Sequence, residues 1–199
     1  MKLASTRFWL CASALLVLSG LAFAQVPANV AKSAAKEMRA NEFTLAGLRP
    51  GKQNRPQVAV LRNTFGAPRS EEGLTVWFDE KACEKLNVDL DKKRLVQTVR
   101  LSVNVFNGQK TCMLVQAGQG WKTGRGLSLR SVCTDATRYY GEPDSRSPST
   151  KNGQPLELLY YAFDWAGPDV PQVMEVVCTA EKDGKPGRVV EITLAAGSL

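Results

Sequence analysis

The sequence contains no histidine, which excludes a large part of enzyme chemistry. Ser-His-Asp and Cys-His nucleophile systems need an imidazole to take the proton, so neither can be built here. Cysteines are few, five in 199 residues, and no two form a Cys-x-x-Cys pair. A zinc site would have to gather scattered thiolates without the imidazole that often joins them. Gly118-Gln119-Gly120 and Gly124-Arg125-Gly126 place glycines in loops, but neither makes the Gly-x-Gly-x-x-Gly fingerprint of a nucleotide site. The longest apolar run, Phe8 to Leu18, falls short of the ~20 residues that span a bilayer. Lys and Arg do not gather into the stripe that a nucleic-acid partner requires. The formal charge of +7 is spread along the chain; its densest point, Lys92-Lys93-Arg94, falls in a turn pattern and reads as a charged loop tip. No metal, cofactor or nucleic acid is expected.

The amino terminus has the three parts of an export signal. Lys2 and Arg7 give a positive start, the Phe8–Leu18 run follows, and Ala22-Phe23-Ala24 supplies the small residues at which a signal peptidase cuts. Residues 1–24 are read as a cleaved signal peptide and 25–42 as a flexible leader, with no membrane span after cleavage. The protein is therefore expected to be periplasmic or secreted. Cys11 leaves with the signal, so the mature chain keeps Cys83, Cys112, Cys133 and Cys178. An even count in an oxidising compartment predicts two disulfides, with three connectivities open.

Self-similarity is the most informative feature that is present. Residues 51–70 laid over 126–145 match Gly51 with Gly126, Arg55 with Arg130, Gly66 with Gly141, Pro68 with Pro143 and Ser70 with Ser145. Each copy predicts a short helix stopped by a Gly that takes positive φ cheaply, with a Pro two positions on. Val58, Leu61 and Phe65 form the apolar stripe of the first copy, and Cys133, Ala136 and Tyr140 that of the second. Downstream, Leu86, Val88 and Leu90 match Met174, Val176 and Cys178, while Val96, Val99 and Leu101 match Val189, Ile192 and Leu194. Aromatic strands are expected near Leu74–Phe78 and Leu156–Phe163. Asn107-Gly108 is a hairpin turn signal between the copies. The expected organisation is a first unit over 43–106, a connecting hairpin or linker over 107–121, and a second unit over 122–199. The expected fold class is α+β: two tandem units of short helix plus antiparallel sheet, with the helices packed on one sheet face. Cys133 on the helix stripe and Cys178 at a helix-facing strand position are then within bonding reach, which leaves Cys83 to Cys112.

A helix ending in Gly-x-Pro, an aromatic strand and a hairpin closing Val-x-x-Val/Ile-x-Leu resemble the units of the SmpA/OmlA outer-membrane assembly lipoproteins. The tandem arrangement is similar to the β-lactamase inhibitor protein-like repeat fold. The resemblance covers about residues 43–196 and implies helices on one side of an antiparallel sheet, the open face of which grips a protein. This chain lacks the lipid-attachment Cys of the assembly lipoproteins, and no inhibitor contact residues carry over.

Asp79-Glu80 and Glu71-Glu72 are the adjacent acid pairs, but neighbours on a strand point to opposite faces, and both pairs adjoin turns. They read as solvated charge, and no catalytic residue is assigned. Aromatics are scarce, at 8%, so their placement matters. If Leu74, Val76 and Phe78 face the helices, Trp77 stands on the open sheet face. Trp121, Tyr160, Tyr161 and Trp165 join it as candidate partner-binding residues. The expected function is non-catalytic binding of an envelope or extracellular protein through this aromatic face. The alternatives are a carboxylate-dependent envelope enzyme and a structural module that contacts anionic surfaces peripherally.

Overall fold

The computed structural model describes residues 41–103, 112, 115–151, 153–163, 172–182 and 184–197. The export signal, the leader through residue 40, the Asn107-Gly108 turn and Trp165 lie outside the described residues.

Alternating apolar residues build most of the strands. These are β2 (Leu74–Asp79), β3 (Glu84–Leu90), β4 (Val96–Val103), β6 (Gln154–Phe163), β7 (Gln172–Thr179) and β8 (Val189–Ala196). Two polar strands, β1 (Arg69–Glu71) and β5 (Ser145–Lys151), sit at the ends. All eight form one antiparallel sheet in the order β1-β2-β3-β4-β8-β7-β6-β5. Cross-strand partners define a buried row running Trp77, Leu86, Leu101, Ile192, Val176, Leu159. A second row on the same face runs Val88, Val99, Leu194, Met174, Tyr161.

The odd spacing in Val96-x-x-Val99-x-Leu101 and Val189-x-x-Ile192-x-Leu194 has a structural cause. Register shifts at Asp89/Leu90 and at Val177/Cys178 insert one unpaired residue opposite each hairpin. Such a bulge resets the side-chain alternation, so residues three apart both reach the core. Val96, Val99, Val189 and Ile192 are all fully buried.

Among the described residues two helices accompany the sheet, α1 (Arg55–Phe65) and α2 (Thr134–Tyr140). Both stop where the Gly signals place the stop. Gly66 and Gly141 each have φ of 81°, and their N–H groups donate to the carbonyls of Arg62 and Thr137. At the start of α1, Asn54 adopts the left-handed conformation at φ 51°. Its amide clamps the preceding loop instead of capping the helix: Nδ2 donates to the Arg49 and Lys52 carbonyls, and Oδ1 accepts from the Arg49 N–H.

The α+β expectation of two helix-plus-sheet units is corrected by this topology. One mostly β architecture runs through both halves, because β4 and β8 pair directly from Thr98–Ala195 to Ser102–Glu191. Backbone N–H and C=O groups that would end each unit at an open edge satisfy one another across the middle of the chain. The helices are minor partners, since α1 fully buries only Leu61 and α2 only Ala136 and Tyr140.

Both disulfides have the expected pairing. Cys83 bonds Cys112 with Cα atoms 5.6 Å apart, and Cys133 bonds Cys178 at 5.9 Å. Cys133 immediately precedes α2 and Cys178 lies on β7, so the second bridge ties helix to sheet. No helix among the described residues is long and apolar enough to cross a membrane.

Candidate functional site

The aromatic residues expected on an open face are mostly inside. Trp77 is 2% exposed, Trp121 8% and Tyr161 1%. Trp77 shares its face with Leu86 and Leu101, so β2 presents the parity opposite to the one its Leu74, Val76 and Phe78 alternation suggests. Apolar alternation on both parities left the face undetermined, and the pairing register decided it. Trp121 lies against Phe65 of α1, ring centroids 4.7 Å apart. Tyr161 joins Tyr140 and Phe163 in a cluster with centroids 6.0–6.1 Å apart. Tyr160 alone takes the far face, half-buried beside Glu175.

That far face is polar through its middle. Asn87, Arg100, Thr193 and Glu175 follow one another across four strands, and Glu191 bridges Arg100 at 3.6 Å and Lys151 at 3.1 Å. Val76, Val173 and Ala195, on the same face, are themselves buried. Among the described residues the aromatic side chains on this face are the half-buried Tyr160 and Phe78, which do not form a continuous aromatic surface.

Partly exposed apolar side chains lie instead on either side of the buried Trp77, around α1. Toward the start of the helix is a groove of about 370 Å³ with Trp77, Val88 and Leu90 as its floor and Val58 and Ala59 as one wall. Arg55, Arg62 and Arg94 stand around it, the last from the β3–β4 turn. Residues 55, 58, 59 and 62 recur at helical spacing, so one face of α1 carries both the apolar wall and two of the guanidinium groups. The amide of Gln53 donates to the Lys93 carbonyl at 3.2 Å and ties the helix start to that turn. Gly51 and Lys52 also exchange backbone hydrogen bonds with Val96. Toward the helix end is a hollow of about 600 Å³ between Phe65, Trp77 and Phe78, with Arg69, Asp79 and Lys81 at its margin. The indole N–H of Trp77, buried between the two, has no hydrogen-bond partner among the described residues.

The carboxylate with the most altered chemistry is Glu84. It is 1% exposed at the start of β3, accepts a 2.8 Å hydrogen bond from the Trp121 N–H, and pairs with Arg130 at 3.3 Å. Arg130 itself holds φ of 67° and reaches the Cys83 carbonyl. Burial pushes the Glu84 carboxyl up to about 7 against the pull of the Trp121 N–H and Arg130, while Asp79 adds slightly to the rise. Gly120 closes over the carboxylate so tightly that a Cβ there would overlap it. A substrate has no approach, so Glu84 is a structural link between the halves. The sequence carried a signal for it, because Glu84 shares its parity with the core residues Leu86 and Val88. The adjacent acids are otherwise employed: Glu71 pairs with Lys85 at 2.6 Å, and Asp79 accepts from the Ala82 N–H at 2.9 Å.

Glu84 makes stability depend on pH. An unfolded chain releases this proton near 4.5, whereas the folded protein keeps it to about 7. Between those values the folded state binds more protons, so this group's contribution falls as pH rises through the window and is lost above it. The difference corresponds to about 3 kcal/mol. We expect Glu84→Gln to gain stability relative to wild type between pH 5 and 8, measured by urea denaturation across that range. Parallel pH profiles for the two proteins would show that Glu84 titrates normally.

Among the described residues, no group of three or more His, Cys, Asp and Glu side chains is arranged to hold a metal ion. No family model matches the chain, and no curated protein matches it. Among solved structures it is similar to a DUF4309 family protein, YjgB, from Bacillus subtilis, with 13% identity, 84% of this chain and 93% of that one covered, and a TM-score of 0.39. It is also similar to a cysteine-rich secretory protein, SAV1118, from Staphylococcus aureus, with 11% identity, 74% of this chain covered and a TM-score of 0.32. The chain spans 48% of the length of that second protein. Likeness at this level carries no statement about function.

Proposed function

We propose that this is an exported, non-catalytic protein-binding module, periplasmic or secreted, whose binding site is the groove beneath α1. The groove is the observation that carries the proposal: half-buried Val58 and Leu90 and exposed Ala59 line a cleft between helix and sheet, above the buried Trp77 and Val88, where a peptide side chain can be received. Two disulfides and the absence, among the described residues, of a membrane-crossing helix are in keeping with an exported protein. The resemblance of the helix-Gly-x-Pro units to envelope assembly lipoproteins is in keeping with a binding role. An enzyme working through carboxylates finds less support, because the most perturbed carboxyl, Glu84, is sealed behind Gly120.

Ala59 is exposed at the groove wall, so Ala59→Trp fills the groove from outside without disturbing the core. Peptide-display selection against the wild-type protein should enrich binders that fail on Ala59→Trp. Enriched peptides that bind both proteins equally would place the binding site elsewhere and overturn the proposal.

A further inference from the structure

We infer that the groove recognises an extended acidic segment of its partner protein, with carboxylates flanking an apolar residue; this rests on the binding role proposed above. The first ground is charge. Arg55, Arg62 and Arg94 surround the groove, no Asp or Glu lines it, and among the described residues no carboxylate pairs with any of the three. Arg100, Arg125, Arg130, Arg138 and Arg146 have acidic partners, whereas Arg69 and Arg188, like these three, have none among the described residues; what sets the three apart is that they surround one groove. Three unpaired guanidinium groups around one apolar floor await anionic groups, which they bind in forked, charge-assisted pairs.

The second ground is spacing. Arg55 and Arg62 are two turns apart on α1, which separates them by about 10 Å along the helix axis. An extended peptide advances about 3.3 Å per residue, so acids three positions apart match this separation. The residues between them then lie over Val58, Ala59 and Leu90, where an apolar side chain fills the groove. Arg94, on the opposite wall, takes a further carboxylate and fixes the peptide's direction.

The test uses a fluorescein-labelled peptide Glu-Asp-Leu-Ile-Glu-Asp, read by fluorescence anisotropy against the disulfide-bonded protein. Counterparts have Lys or Ser in place of the acids. The acidic peptide should bind at least about tenfold more tightly than either counterpart, a difference of about 1.4 kcal/mol. Its binding should weaken with added salt, because the contacts lie at an open surface. Arg55→Glu with Arg62→Glu should abolish it, and Arg94→Glu alone should weaken it. All three arginines are exposed, so these variants should keep the wild-type thermal transition. Retained binding in the double variant overturns the inference. Equal binding of the Ser peptide, lost in Ala59→Trp, also overturns it while leaving the groove as a protein-binding site. Binding to phosphatidylglycerol vesicles that the acidic peptide does not compete for would assign the arginines to a membrane surface and overturn the inference as well.

Discussion

Trp77→Ala should destabilise the protein by about 3–5 kcal/mol, the usual cost of truncating a large aromatic in a packed core. A loss of that size is a large part of the about 5–15 kcal/mol that holds a typical domain together. Trp77 is 2% exposed, paired across the sheet with Leu86 and roofed by α1, which buries only Leu61 completely. The helix has few other contacts with which to compensate a cavity at this point. Trp77→Phe separates the ring from its N–H. The Trp77 Nε1 has no partner among the described residues, so its removal forfeits no hydrogen bond to them and relieves a buried donor. The phenyl ring of this variant leaves a smaller void than Ala does, and we expect a cost below about 1.5 kcal/mol. Urea denaturation followed by far-ultraviolet circular dichroism measures both. An unchanged midpoint for Trp77→Ala would mean that the indole stands in solvent and that the pairing register of β2 is other than described.

Removing the Cys133–Cys178 bridge should cost about 4 kcal/mol, the largest effect expected from either disulfide. The bridge closes a loop with a sequence separation of 45, against 29 for Cys83–Cys112. Closing the longer loop removes more freedom from the unfolded chain, though only by about 0.4 kcal/mol, because the dependence is logarithmic. Cys133→Ala with Cys178→Ala is the suitable variant, since a single substitution would leave a free thiol able to mispair. The difference in urea midpoint between this variant and wild type, converted with a shared slope, gives the cost. A value below about 1 kcal/mol would show that the unfolded ensemble is already restricted across this loop. The same dependence means that the protein should be much less stable when both bridges are reduced.

Much of the local structure was legible from the residues alone. The helix stops at Gly66 and Gly141 follow from Gly-x-Pro, because only glycine takes positive φ without strain and proline blocks continuation. The Cys133–Cys178 pair followed from the stripe of one element and the parity of another. The two edge strands were not legible. Ser145–Lys151 is exposed throughout, so no apolar alternation marks it, and its strand form exists only because β6 supplies hydrogen-bonding partners. Pro148 within it interrupts the outward donor row, which discourages a further strand from adding there.

The candidate site shows where local information ends. The sequence by itself determined the lack of imidazole chemistry, the cysteine pairing, the helix ends and the positions of the apolar strands. Each depends on side-chain chemistry or on contacts within a few residues. Only the tertiary structure decided which face of β2 became the core, because Val76 and Trp77 are both apolar and a one-residue register difference exchanges their sides. It also joined the two halves through β4 and β8, a contact between segments almost a hundred residues apart. That pairing turned two expected units into one sheet and moved the candidate binding surface from the sheet's far face to the groove beneath α1. Sequence periodicity fixes which residues share a face, whereas the sum of long-range pairings decides what that face meets.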